Sequence, residues 1–248
     1  MASEWQSIKT SSQREMARIL ESSDRTNLRV TSMAQSIGCA IIEGRLQPGD
    51  DLNTVELSKQ FHTSRTPVKE ALLLLEKEGL VTIPPYRRPF VAQISLEEVR
   101  EIYQVRMNLL MLTAELIVNT ASDEAIASLR AFLQPLREMA SAHDLDGVFW
   151  TSVAFRNLEA DICGNRQVKR ILDSLGLRTL QLRHLSIKLG GQASAEQRLS
   201  DRERLVSAYE QRDAPLAVAL TRTMVLRSLA FIERSELFHV KKDESQVA

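Results

Sequence analysis

Residues 53–94 set a short apolar-periodic run, a polar turn, a second run entered by Ser64-Arg-Thr-Pro67, and two extended stretches separated by prolines. That order leaves few folds open. Pro67 falls in the first turn of its run, where a missing N–H costs nothing. Behind it Val68, Ala71, Leu72 and Leu75 recur at i, i+3, i+4 and i+7, one face of a helix that Gly79 stops. A preceding helix is expected from Leu28 through Val30, Met33, Ile37, Ala40 and Ile41 to Gly44, followed by a turn at Pro48-Gly49. A short second helix spans 55–61, with Asn53 or Thr54 as its N-cap. Residues 80–83 and 89–94, joined by Pro84-Pro85-Tyr86-Arg87-Arg88, predict a two-stranded hairpin. Helix, helix, turn, helix, hairpin is the order of a winged helix-turn-helix, here over 27–94.

From Ser95 onward the pattern is helical only. Ser95 with Glu98 forms a capping box that opens a long helix to Asn119. Thr120-Ala-Ser-Asp123 caps a run to about Ala142, and further helices are expected over 145–163, 167–188, 195–211 and 215–238. Gly164-Asn165, Gly190-Gly191 and Asp213 punctuate them, giving an all-α bundle over 95–239. Aromatics at 5%, with Gly at 9 and Pro at 7 in 248 residues, are too few for sandwiches or barrels. The fold class is therefore mainly α: an N-terminal winged helix-turn-helix with a small β-hairpin wing, then a helical bundle. Residues 1–26 read as a polar arm, with a transient helix near 14–20, and 240–248 as a charged tail.

No stretch reaches the roughly 18 consecutive apolar residues of a membrane span, so no membrane partner is expected. The first 21 residues lack an apolar segment of the secretory kind, and Cys39 and Cys163 are too few for a disulfide framework. These features predict an intracellular, cytoplasmic chain.

Net charge is zero, 32 basic residues against 32 acidic, so any nucleic-acid binding must come from a local patch. Over 27–94 eight basic residues face seven acidic ones, and placement decides. Ser64, Arg65, Thr66 and Lys69 occupy the N-terminal end of the second run, the part of a recognition helix that meets base edges. Arg65 can grip guanine O6 and N7 with two donors, and Ser64 and Thr66 suit phosphates or bases. Arg87 and Arg88, at the hairpin tip, would reach phosphates or the minor groove. The plain alternative is a capped helix with solvated basic residues.

Ile42-Glu-Gly-Arg-Leu-Gln-Pro-Gly49, Ser64-Arg-Thr-Pro-Val-Lys-Glu-Ala-Leu72, Leu75-Glu-Lys-Glu-Gly-Leu-Val81 and Phe90-Val-Ala92 resemble the DNA-binding domain of the GntR superfamily of bacterial transcriptional regulators. Ser95-Leu-Glu-Glu-Val-Arg100 and Tyr103-Gln-Val-Arg106 open a remainder that resembles the FadR-like subfamily with its ligand-sensing FCD domain. The resemblance implies a homodimer that binds an inverted-repeat operator in double-stranded DNA, with Arg65, Thr66 and the basic residue at Lys69 as operator contacts. Two departures stand out. Lys69 replaces a frequent arginine, keeping the charge but losing the bidentate fork. A wing tip that is commonly Gly-rich in the family is Pro85-Tyr-Arg-Arg-Pro89 here.

Many domains that the second half resembles hold a metal through an Asp and a His four residues apart and two further His. Carried over, those positions fall on Ser152, Arg156, Arg202 and Met224. None suits a divalent ion, which wants carboxylate or neutral imidazole, so neither a metal nor another cofactor is expected. Arg106 matches an arginine that in the family binds a ligand carboxylate. If Arg106, Arg156 and Arg202 converge, with Ser152 as a hydrogen-bond partner and Met224 beside them, the bundle takes a small anionic metabolite. The alternative is internal pairing, Arg156 with Glu159 at i, i+3 and Arg202 with a surface acid. His184 reads as a satisfied or solvated histidine, and both cysteines as small buried hydrophobes.

The reading is thus a DNA-binding transcriptional regulator, in the form of a repressor released by its ligand. The other classes are an enzyme with a helical domain, for which no nucleophile–base pair or Gly-rich phosphate loop is present, and a ligand-independent architectural regulator whose helical half only dimerises.

Overall fold

The computed structural model describes residues 28–235. The expected arm over 1–26, the tail over 240–248 and the end of the last helix beyond Ser235 lie outside them. Contacts group the described residues up to Gln93 with Asp173–His184 in one unit, and Ile94–Leu172 with those from Leu185 on in another.

In the first unit α1 (Leu28–Ile42) and α2 (Thr54–Gln60) pack on α3 (Arg65–Lys77). The periodic apolar residues supply the core: Val30, Ile37 and Ile41 of α1 are buried, as are Val68, Ala71, Leu72 and Leu75 of α3. Burying a side chain of this size is worth about 1.5–3 kcal/mol, which makes that stripe the main restraint on α3. Asn53, rather than Thr54, caps α2 by accepting from the Val55 N–H at 2.9 Å. Gly79 ends α3 at φ +74°, and an added Cβ there would lie 2.5 Å from Arg178 Cδ.

The wing is shorter than expected. Strands β1 (Val81–Thr82) and β2 (Phe90–Val91) pair antiparallel with Val81 opposite Val91 and Thr82 opposite Phe90. Pro84, Pro85 and Pro89 have no N–H to extend the ladder. Beyond β1 the Ile83 N–H is taken at 2.9 Å by Glu76 Oε1 of α3, and Asp51 forms a single bridge to Phe90. At the tip the Pro84 carbonyl accepts from the Arg87 N–H at 3.4 Å, with Tyr86 at φ +62°. Proline second and a positive φ third is the type II turn pattern, in which glycine is the usual third residue.

The second unit is built on α4 (Leu96–Thr120), α5 (Asp123–Arg130), α6 (Leu133–Ser141), α7 (Leu145–Ile162) and α10 (Ala214–Glu233), with parts of α8 (Arg166–Ser174) and α9 (Gly176–Glu210). The α4–α10 pairing is the most extensive. Ala114, Ile117, Leu129, Phe155, Leu205, Tyr209 and Ala217 form the core, with Phe132 edge-on to Phe155 at 6.2 Å between ring centres. Ser95, Ser122, Asp144 and Asp213 each cap a helix through a side-chain oxygen.

Three helix boundaries differ from the sequence expectation. The run expected to Ala142 splits into α5 and α6, because Pro135 cannot donate to the Ala131 carbonyl and its ring crowds it. The run expected over 167–188 breaks between α8 and α9 at Leu175. Gly190-Gly191 do not end a helix; α9 continues through a kink at Gly191, whose φ of 57° and ψ of −153° suit only glycine. An added Cβ at Gly190 would come 2.4 Å from Ser194 Cβ, so that bend needs glycine at both positions. The C-terminal end of α4 is held by Arg212, which donates to the Val118 carbonyl at 3.1 Å and the Ala121 carbonyl at 2.7 Å. By length and composition α10 could cross a membrane; its Ala217, Leu220, Val225 and Ile232 are buried in the bundle.

Candidate DNA-reading surface and buried arginine cluster

The turn before α3 passes through His62 at φ +49° and reaches Ser64 in extended conformation. Ser64 is the N-cap residue, but its hydroxyl makes no capping bond. Arg65, Thr66 and Lys69, at the N-terminal end of the helix, are all exposed, as is Glu70. Neither Arg65 nor Lys69 forms an ion pair among the described residues. The first turn of α3 thus presents one hydroxyl without a capping role, a second hydroxyl and two cations beside free backbone N–H groups, a surface that attracts phosphate and can read base edges. At the wing Arg87 and Arg88 are exposed, and Arg88 Nη1 lies 3.6 Å from Asp51 Oδ2 with both side chains in solvent. Leu73, which the α3 stripe leaves out, is 53% exposed.

Within the second unit the expected arginines come together. Arg106 on α4, Arg156 on α7 and Arg202 on α9 are each 7% exposed. Arg156 Nη1 donates at 2.8 Å to Oε2 of Glu159, which is wholly buried and accepts through Oε1 from the Tyr209 hydroxyl at 2.7 Å. The internal i, i+3 pairing therefore exists for Arg156. Arg202 pairs with no surface acid among the described residues. Its guanidinium lies over the Phe155 ring at 4.5 Å and meets Met224 Sδ at 3.8 Å. Arg106 lies 5.9 Å from the centre of the Tyr103 ring. Ser152 is buried on α7 one turn before Arg156.

The electrostatics show how crowded these cations are. Burial is the largest influence on Arg202 and pushes its pKa down to about 9, with the Arg156 charge adding to the fall and Glu159 opposing it. Arg106 is pushed down to about 10 by burial, against the pull of Tyr103, with Arg156 and Arg198 lowering it further. Both Arg106 and Arg202 stay protonated at neutral pH. Tyr209 is held well above its ordinary value by burial and by the Glu159 carboxylate that it bonds.

Sequence reasoning missed Arg198. It stands one turn before Arg202 on α9, and that i, i+4 spacing was the available signal. Its Nη2 donates to Ser186 Oγ at 2.8 Å, bridging the two limbs of the kinked helix, and Ser186 is bonded to Ser228, which meets the Tyr103 hydroxyl at 3.1 Å. The Arg198 Nε is shut off from solvent without a hydrogen-bond partner among the described residues. So is the hydroxyl of Thr221, which lies on α10 one turn before Met224. His184 is buried and both cysteines are buried, with burial pushing the Cys39 thiol up to about 12. Among the described residues no group of three or more His, Cys, Asp or Glu side chains could hold a metal ion.

Comparison with known proteins matches residues 30–91 to the family model described as bacterial regulatory proteins, gntR family, and residues 101–227 to the FCD domain. The chain is 30% identical over 134 residues to the uncharacterized HTH-type transcriptional regulator YdhC of Bacillus subtilis, covering 54% of this chain and 60% of that protein. It is 28% identical over 113 residues to the HTH-type transcriptional regulator McbR of Escherichia coli, covering 46% and 51%. The chain thus spans about half the length of the curated relatives that it matches. Among solved structures, E. coli McbR/YncC superposes with a TM-score of 0.71 at 19% identity, over 84% of this chain and 98% of that one. A GntR regulator of Rhodococcus sp. RHA1 gives 0.68 at 21%, again over 84% and 98%. At these identities the likeness concerns the fold.

Proposed function

The chain belongs to the GntR family of bacterial regulatory proteins and carries an FCD domain, and from that premise we propose that it is a cytoplasmic transcriptional regulator that binds operator DNA and answers to a small anionic metabolite. It works by non-covalent recognition and is no enzyme. Ser64, Arg65, Thr66 and Lys69 enter the major groove, with Arg65 as the base contact, while Arg87 and Arg88 add phosphate contacts. Two copies act on an inverted repeat, since one helix of this length reads too few bases to be selective. The exposed, unpaired cations at the first turn of α3 carry this half of the reading.

The effector binds at Arg106, Ser152, Arg156, Arg202 and Met224. The observation that carries this half is the burial of Arg106, Arg156 and Arg202, each 7% exposed, with one wholly buried carboxylate, Glu159, which Arg156 already bonds at 2.8 Å. A buried cation without a counterion is costly, and an anion relieves that cost. Bridging arginines on α4, α7 and α9, the anion draws those helices together and repositions α9, whose residues 176–184 group with the DNA-reading unit. Ligand binding then releases the operator, making the protein a repressor. A 100-fold release requires about 2.7 kcal/mol of coupling.

Selection of binding sites from a random duplex library tests the DNA half. The expected result is enrichment of an inverted repeat bound by two chains per duplex. Binding that stays equal on every sequence, or one chain per selected site, would contradict it.

A further inference from the structure

We infer that Arg198 is a fourth cation of the effector site and that the effector carries at least two anionic groups. This rests on the reading that the arginine cluster is the ligand site. Arg106, Arg156 and Arg202 are each 7% exposed, and the Arg156 and Arg198 charges reach both Arg106 and Arg202. Against them stands one fully buried carboxylate, Glu159, already shared between Arg156 and Tyr209. Asp201 acts on Arg198 but is itself engaged by Arg227 and Gln197. The cluster therefore has an excess of about three positive charges, and a ligand with one carboxylate would leave most of it uncompensated.

A second observation points the same way. The Arg198 Nε and the Thr221 hydroxyl are shut off from water without a partner among the described residues, although a buried donor left unmade is expensive. Nη2, which shares that edge of the guanidinium with Nε, donates to Ser186. The Nε–H left over is a charge-assisted donor that a carboxylate or phosphate oxygen can accept from. One anionic group is then taken by the Arg106–Arg156 side and the second by Arg198 and Arg202, one turn apart on α9. The shared chemistry is a small molecule with two acid groups, and dicarboxylates and phosphorylated acids both supply it.

The test compares acetate, succinate and 2-phosphoglycolate at constant ionic strength, by calorimetry and thermal unfolding, on the full chain and on Arg198→Met and Arg198→Lys. Succinate or phosphoglycolate is expected to bind at least tenfold more tightly than acetate, and which of the two binds better identifies the second acid group. Arg198→Met should erase that preference while leaving acetate binding within twofold, with a ligand-free Tm that is unchanged or higher because one repelling cation is gone. Arg198→Lys, which keeps the charge without the fork, should retain part of the preference. Acetate binding as tightly as succinate and phosphoglycolate would overturn this inference and leave the ligand site standing. No saturable binding of any of the three would overturn the site itself. A lowered ligand-free Tm in Arg198→Met with the preference intact would show Arg198 to be structural and overturn its role.

Discussion

Replacing Arg156 by alanine should destabilise the protein by about 3–5 kcal/mol, the usual cost of removing one partner of a buried ion pair. Glu159 is wholly buried, and Arg156 is the cation bonded to it, at 2.8 Å. The variant leaves that carboxylate with the Tyr209 hydroxyl and the more distant field of Arg106 and Arg202. Denaturant unfolding checks the size of the loss, and the double variant Arg156→Met/Glu159→Gln should recover most of it, because both charges leave together. An Arg156→Ala protein as stable as the parent would mean that Glu159 does not depend on this pair. The same geometry makes Arg156 a poor residue on which to test ligand response alone. Arg202, whose near contacts are the Phe155 ring and Met224 Sδ, can be changed to methionine with less collateral damage.

Arg65→Ala should weaken operator binding by about 1–3 kcal/mol per site and relax the base preference at one position of each half-site. Arg65 is the second residue of the exposed turn at the start of α3 and has no ion-pair partner among the described residues, so its truncation leaves the fold unaltered. Titration of specific and random duplexes side by side separates base from phosphate contact. A loss confined to the specific duplex marks a base contact; equal losses on both would make Arg65 a backbone contact.

The elements whose local chemistry agrees with the fold were legible in the sequence. The α3 stripe of Val68, Ala71, Leu72 and Leu75 emerged buried residue for residue, and the Ser95 cap with its Glu98 N–H partner formed as spaced. Where backbone chemistry competes with periodicity, the reading went astray. Pro135 divides an apolar-periodic run without disturbing its pattern, and Gly190-Gly191 bend a helix that the same glycines could have ended. The wing lost strand length to prolines for the same reason. In the arginine cluster the positions on α4, α7 and α9 came from resemblance, and their proximity depends on how distant helices pack, which no local spacing encodes. Arg198 escaped because an arginine one turn from another on a long polar helix is ordinarily a solvated one. Its bond to Ser186 arises from the kink, which brings together residues on the two limbs of α9.

Regulation of this kind requires linkage between effector binding and DNA binding. The direct measurement is the affinity for the selected duplex, read by fluorescence anisotropy, with and without saturating succinate or 2-phosphoglycolate at fixed ionic strength. The predicted result is a fall of between tenfold and 100-fold in the parent protein, about 1.4–2.7 kcal/mol of coupling, and less than twofold in Arg202→Met, whose ligand-free DNA affinity equals the parent's. An anion that saturates the bundle by thermal shift yet leaves duplex affinity unchanged in the parent would contradict it.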